Sequence, residues 1–537
     1  MKRRIIAFVL TLNFLFLFLS GRLFKISASP QSASAQSSVR VKDIDTSRGM
    51  IYDRNMQCLV NSEYGYTFLI KPSGYTFNLL NEKGYVTQAN ENIKNGELLF
   101  INSENEFAFE ENKYVKSLSV YKRYPDSCAL HIIGYTDYNQ QGVSGIEKYY
   151  NDLLIKSGGT LSVAYSADAK NRLLSGEAIE IRDNGYYAPE GIALSIDKDI
   201  QTICENALKN HNISKGAVIV LDTEDGGILA CASVPCYDRS NMEEYLSRDD
   251  GPFLNRGFSA YPVGSVFKLV TAISALENNM ELPTYTCTGK IEKSQNTFNC
   301  NKAEGHGTID LNEAVAQSCN PYFIELGTLT GAERLLHTAE VSGFGKATDL
   351  GNGNFTDSGV LPQKKDLNSE AAVGNFAFGQ GKFTATPLQV AVFLNTIAND
   401  GIYKEPHLIK GFVNSDGAFS PKGATDTYRI FKENTCKTVK NAMLKTTTNG
   451  TGKIAFSSLF DSCTKTATAQ SGQYDKNGRE IKICWFGGFF PAEIPKYTVC
   501  IMVEDGTSGG ADCGPVFKEI SENIYIKSHP PYNTEGG

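Results

Sequence analysis

The sequence predicts an α+β fold: an antiparallel sheet flanked by helices, with a helical subdomain. Three observations lead there. Apolar strand-like runs lie near both ends of the stretch 186–526. Helix-patterned sequence fills its middle. Turn signals of the hairpin type join successive strand runs at either end. The two sets of strands then close one sheet around the central helices.

Each element follows from its residues. Ala193–Ile196 reads as a short strand, and Asp197 caps a helix with Ile200, Ile203, Cys204 and Leu208 on one face. Gly216–Leu221 (GAVIVL) is a buried strand, and Asp225-Gly226-Gly227 turns it into a second, Ile228–Ser233. Helices occupy the chain from Pro262 to about Ala398. Three more strands follow at Cys463–Gln470, Ile481–Phe490 and Tyr497–Glu504, the first two joined through Lys476-Asn477-Gly478. Residues 39–185, rich in Asn, Gly and Tyr without helical period, read as a strand-rich N-terminal domain.

At the start, Lys2, Arg3 and Arg4 precede an apolar run, Ile5–Leu19, continued by Leu23, Phe24 and Ile26. Twenty-two helical residues span about 33 Å, enough to cross a bilayer. The basic flank on the N-terminal side places the body outside the cell membrane. A cleaved signal with Ala33-Ser34-Ala35 near its site is the alternative. The expected order is a cytoplasmic tail (1–4), a transmembrane signal-anchor (5–26), a stalk (27–38), the N-terminal domain (39–185), the main domain (186–526) and a C-terminal tail (527–537).

Composition narrows the function. The 537 residues suit two or three domains. A net charge of −7 offers no basic field for a nucleic-acid backbone, so no nucleic-acid partner is expected. Six His, none within five residues of another, exclude a helical His-pair zinc site. Thirteen Cys without a CxxC exclude a zinc ribbon or thioredoxin-like motif. Neither metal nor cofactor is expected. Cys204, Cys231, Cys463, Cys484 and Cys500 read as small core residues. Cys287 and Cys300 bracket a short polar loop in a way that invites a disulfide.

Three short motifs carry chemistry. In Ser265-Val266-Phe267-Lys268 a hydroxyl and an amine share one face at a helix start. A lysine shielded from water is a base for a serine nucleophile, and the helix start supplies free N–H groups for an oxyanion. The plainer reading is a capping serine and a solvated lysine. Ser318-Cys319-Asn320 forms a tight junction between two helices, with Asn320 read as the cap ahead of Pro321. Lys465-Thr466-Ala467-Thr468 lies on a strand, with Lys465 and Ala467 on one face and the threonines on the other. Such a strand can pair with an extended peptide and hold its carboxylate; the plainer reading is an edge strand guarded by a lysine.

Together, in this order, the motifs resemble those of a class B penicillin-binding protein, a monofunctional peptidoglycan D,D-transpeptidase. The likeness extends to Arg48–Asn55 (RGMIYDRN), Arg123-Tyr124-Pro125, His131–Tyr135 (HIIGY), Gly142–Glu147 (GVSGIE), Leu254-Asn255-Arg256, Gly379-Gln380-Gly381, Thr386–Gln389 (TPLQ), Gly450-Thr451-Gly452, Trp485–Phe489 (WFGGF) and Pro515-Val516-Phe517. The resemblance implies a serine transpeptidase fold, preceded by a strand-rich pedestal domain and one transmembrane helix. It implies that Ser265 is acylated, Lys268 is its base, Ser318 relays protons, Asn320 binds a peptide amide and Lys465 adds positive potential. Thr466 and Thr468 correspond to the carboxylate-binding pair, and the backbone N–H groups of Ser265 and Thr468 to the oxyanion hole. Implied partners are peptidoglycan stem peptides, β-lactams as inhibitors, and a polytopic glycosyltransferase of the shape, elongation, division and sporulation type. Two residues depart from the pattern: Val263 replaces a proline, and Ala467 replaces a glycine beside the substrate path. A β-lactamase or β-lactam sensor of the same fold, and a non-catalytic member of a wall-synthesis complex, are the competing readings.

Overall fold

The computed structural model describes residues 2–27, 38–85, 88–125, 128–174, 176 and 178–530. The stalk expected at 27–38 falls almost wholly outside the described residues, as does most of the C-terminal tail. An apolar helix covers Lys2–Ser27, and its stretch Ile5–Lys25 is long and apolar enough to cross a membrane.

The chain divides into two compact units, each drawn from separate pieces. The first gathers Met1–Arg48, Asn61–Pro125 and Lys156–Ala188. It holds two three-stranded antiparallel sheets. One orders Ser38–Thr46, Thr160–Ala167 and Glu180–Asn184; the other places Glu63–Ile70 between Leu99–Ser103 and Val115–Lys122. Phe68, Ile70, Leu80 and Phe109 fill one core, and Leu69, Leu118, Leu161, Val163 and Tyr186 another.

The second unit gathers Gly49–Val60, Asp126–Ile155 and Pro189–Gly537. Two stretches of the range 39–185 therefore pack within it. The physical reason is visible in the RGMIYDRN motif. Met50–Tyr52 lies parallel to Gly191–Leu194 in a four-stranded sheet. Buried Asp53 then accepts the N–H groups of Asn55 and Gln57 at 2.8 and 2.7 Å, and Arg54 pairs with Asp222 at 2.8 Å.

The centre of this unit is a five-stranded antiparallel sheet of β1 (Gly216–Asp222), β2 (Ile228–Val234), β3 (Cys463–Tyr474), β4 (Glu480–Phe490) and β5 (Tyr497–Glu504), in spatial order β2-β1-β5-β4-β3. The strands at the two ends of the domain meet at β1 and β5, as the sequence predicts. Helix α1 (Lys198–Asn210) starts at Asp197, whose carboxylate accepts from the N–H groups of Asp199 and Ile200. With α5 (Gly514–Ser528), it buries Ile200, Cys204, Leu208, Phe517 and Ile520 against Val218, Val220, Phe486 and Ile501. Another helix, α4 (Pro387–Ala398), packs on β1, β4 and β5. Its TPLQ start is a capping box, with Thr386 and Gln389 exchanging backbone–side-chain bonds at 2.9 and 3.0 Å and Pro387 in the first turn.

The predicted helical middle is interrupted, most clearly at residues 285–309. Residues 285–309 form two β-hairpin pairings, Tyr285–Cys287 with Gly307–Ile309 and Lys290–Lys293 with Asn296–Asn299. This stretch is polar and short of period-3.6 apolar positions, so it has no face for a helix to bury.

Candidate active site

Three segments converge on a cleft of about 420 Å³ that Ser265, Ser318, Asn320, Thr466 and Thr468 all line. The first is set by the turn before α2 (Lys268–Glu277). Trp485 Nε1 donates to Pro262 O at 2.8 Å, and Tyr261–Pro262 pairs with Thr384–Ala385. Gly264, at φ +65°, donates its N–H to Gly379 O at 3.0 Å. Gly379 (φ +79°) has no room for a side chain, since a Cβ there would lie 2.0 Å from Gly264 O. The chain then makes a 3₁₀ turn, Gly264–Phe267, before the α-helix begins. Phe267 anchors this turn among Phe344, Phe376 and Phe383. Ser265 is left half-buried at the cleft, while Lys268 is completely buried.

The Ser318-Cys319-Asn320 junction meets that lysine. Lys268 Nζ donates to Ser318 O at 2.6 Å, Ser318 Oγ at 3.1 Å and Asn320 Oδ1 at 2.6 Å. Ser318 sits at φ +54°, a conformation few non-glycine residues adopt, and it aims both its oxygens at one amine. Asn320 begins α3 (Asn320–Thr330) but does not cap it. Its Oδ1 is taken by Lys268, its Nδ2 donates to Asn299 O at 3.0 Å, and Cys319 occupies the cap position. The capping role read from the sequence is thus corrected: the buried lysine is the stronger claimant on the amide oxygen.

The third segment is β3, the edge strand of the sheet. Lys465 is also completely buried, and its Nζ donates to Ser318 Oγ at 2.9 Å and Thr466 O at 2.8 Å. Thr466 Oγ1 meets Thr451 Oγ1 at 2.7 Å, and Thr468 Oγ1 accepts the N–H of Gly509 at 3.2 Å. The expected two-face alternation does not separate these residues, because the cleft runs along the strand edge: Thr466, Ala467 and Thr468 all border it. Thr451, Gln380 and Gly509 line the same cleft and were not singled out as site residues from sequence. For Thr451 the GTG motif was the available signal.

The electrostatics follow from burial. Taking the Lys268 amine out of water pulls its pKa down to about 7. Lys465 is pushed well below the usual lysine range by burial first and by the neighbouring Lys268 charge second. One hydroxyl, Ser318 Oγ, links the two amines. A lysine that is half neutral near pH 7 can accept a proton, and the chain Lys268–Ser318–Lys465 can pass one along. The disulfide invited by Cys287 and Cys300 is absent, since both are free thiols. The fold turns each of them toward Cys319 and His306 instead.

Known proteins share this architecture. The family model for the penicillin-binding protein transpeptidase domain matches residues 216–522. Stage V sporulation protein D of Bacillus subtilis is 29% identical over 436 residues, covering 78% of this chain and 65% of that protein. Peptidoglycan D,D-transpeptidase MrdA of Haemophilus influenzae is 28% identical over 436 residues, covering 74% of this chain and 64% of that protein. The alignments thus span just under two thirds of these relatives. The crystal structure of the D,D-transpeptidase domain of a peptidoglycan glycosyltransferase from Eggerthella lenta has 26% identity and a TM-score of 0.64, covering 89% of this chain and 99% of that one. The family match takes in more than half of the sequence and every one of the three cleft-forming segments, so the chain belongs to the class B penicillin-binding proteins.

Proposed function

We propose that the chain is a serine-type D,D-transpeptidase that cross-links peptidoglycan stem peptides. Ser265 Oγ attacks the carbonyl carbon of the penultimate D-alanine while Lys268 Nζ takes its proton. The backbone N–H groups of Ser265 and Thr468 hold the oxyanion. The C–N bond then breaks, and the terminal D-alanine leaves with a proton passed through Ser318. An amine from a neighbouring stem peptide attacks the Ser265 ester, gives up its proton along the same route, and releases the serine hydroxyl. Thr466 and Thr468 bind the substrate's terminal carboxylate, whose negative charge favours a proton on the buried Lys465 amine, and Asn320 Nδ2 offers its second N–H to the peptide carbonyl. β-Lactams stop the cycle by acylating Ser265.

The observation that carries this reading is Lys268, fully buried, brought down to about 7 and tied to Ser318 at 3.1 Å. A solvated capping-turn lysine would show none of these. In the proposed topology Ile5–Lys25 anchors the chain with Lys2, Arg3 and Arg4 inside and the body outside. The strand-rich unit meets a polytopic glycosyltransferase.

The test supplies full-length chain with a D-Ala-D-Ala-ended stem peptide and a D-amino acid acceptor, and in a parallel arm with penicillin. Release of one D-alanine per exchanged product supports transpeptidation. Fast turnover of penicillin without a lasting adduct would favour a β-lactamase, and no reaction with either compound would favour a structural role.

A further inference from the structure

Between Cys287 and Ile309 no apolar side chain is buried, although the segment holds two hairpin pairings. Twenty-odd residues without a core of their own need another tie. Cys287, at the end of the first pairing, faces Gly307, and His306 and Cys300 stand beside it. The fourth neighbour is Cys319, from the junction between Ser318 and Asn320. One ligand atom from each of these four residues lies within 4.8 Å of the others.

The separations discriminate between chemistries. Cys300 Sγ lies 3.9 Å from Cys319 Sγ and 3.4 Å from His306 Nδ1. A disulfide needs about 2.05 Å. A tetrahedral zinc ion with Zn–S of about 2.3 Å and Zn–N of about 2.0 Å sets S···S edges near ~3.8 Å and S···N edges near ~3.5 Å. These two edges fit the metal, and the other four lie within 4.8 Å. Backbone N–H groups of Lys302 and Asn320 point at the Cys300 sulfur, and that of Tyr322 at the Cys319 sulfur. N–H donors of this kind support thiolate ligands from the outer shell. Three sulfurs and an imidazole favour zinc over hard oxygen-seeking cations.

We propose that Cys287, Cys300, His306 and Cys319 bind one zinc ion in a closed, structural site. On binding, each of the three thiols gives up a proton to solvent and His306 contributes a neutral ring nitrogen. Four protein ligands leave no position for a metal-bound water, so the ion takes no part in acyl transfer. Its effect is positional. It ties the 285–309 hairpins to Cys319, whose neighbours Ser318 and Asn320 grip Lys268. Asn320 Nδ2 on Asn299 O and Asn301 Nδ2 on Gln317 O, both 3.0 Å, bind the same two segments and would be held by the ion. Sequence spacing conceals the site: the ligands follow one another at gaps of 12, 5 and 12 residues, without the close CxxC pair that marks a zinc finger or ribbon.

The test uses full-length chain purified in detergent under reducing conditions with zinc and no chelator. Elemental analysis is expected to give one zinc per chain, and Cys287→Ser and His306→Ala to lose it, while Cys500→Ser in β5 keeps it. Cobalt(II) added to stripped protein is expected to give the strong visible bands of a tetrahedral site with a thiolate charge-transfer band. Chelation is expected to speed proteolytic cleavage between residues 288 and 306. Fewer than about one zinc per ten chains, an octahedral cobalt spectrum, or a Cys300–Cys319 disulfide in the reduced preparation would overturn the proposal. Zinc content is read without any substrate, so this proposal and the transpeptidase reading fail separately.

Discussion

Lowering the pH should slow acylation of the proposed nucleophile as Lys268 takes up a proton. The amine is fully buried, and burial pulls its pKa to about 7. The depressed pKa belongs to the folded chain, so the neutral base is present above pH 7 and lost as pH falls through it. About half of the lysine is neutral at pH 7, about 9% at pH 6 and about 1% at pH 5. The acylation rate constant for a fluorescent penicillin, measured by stopped flow at subsaturating drug, should therefore fall about fivefold from pH 7 to 6 and about tenfold more to pH 5. Lys268→Arg keeps a cation that never deprotonates and should lose about 10³-fold or more at every pH. A rate that stays flat between pH 5 and 8, or an arginine variant that acylates normally, would refute the assignment of Lys268 as base.

Three further outcomes follow from the same geometry. Ser318→Ala removes the hydroxyl shared by Lys268 at 3.1 Å and Lys465 at 2.9 Å; acylation should slow about 10²–10³-fold, and denaturant melts should show a loss of about 1–3 kcal/mol. Gly379→Ala places a methyl 2.0 Å from Gly264 O at φ +79°; a melt should register at least about 2 kcal/mol of destabilisation, and an unchanged midpoint would mean that the nucleophile turn is not held there. Ala467→Gly clears a methyl from the cleft edge; acylation should quicken severalfold while the strand loses about 0.5–1 kcal/mol, and a slower rate would show that the methyl supports the site.

What the sequence made legible was whatever local patterning controls. The strands GAVIVL and Cys463–Gln470 and the Asp197 cap all rest on residues close in sequence, and each forms where expected. Ser265, Lys268, Ser318, Asn320 and Lys465 stood out through short motifs, and the fold collects them at one cleft. Long-range competition was not legible. Nothing near Asn320 announces that a buried lysine, 52 positions earlier, takes its side chain from the helix cap. The left-handed Ser318 and the edge-strand geometry that lets both faces of β3 border the cleft are likewise tertiary effects. The division into units is hidden for the same reason, since Met50–Tyr52 joins a strand some 140 residues away. The Cys287–Cys300–His306–Cys319 cluster needs two hairpins and a helix junction before it exists.

The central claim is that Ser265 is the residue acylated in this cleft. Intact-protein mass spectrometry after incubation with benzylpenicillin, on the full chain and on Ser265→Ala, tests it most directly. The account predicts one covalent penicillin per wild-type chain, mapped to the peptide that carries Ser265, and none on the alanine variant. An unmodified wild-type chain, or an adduct that persists on Ser265→Ala, would contradict it.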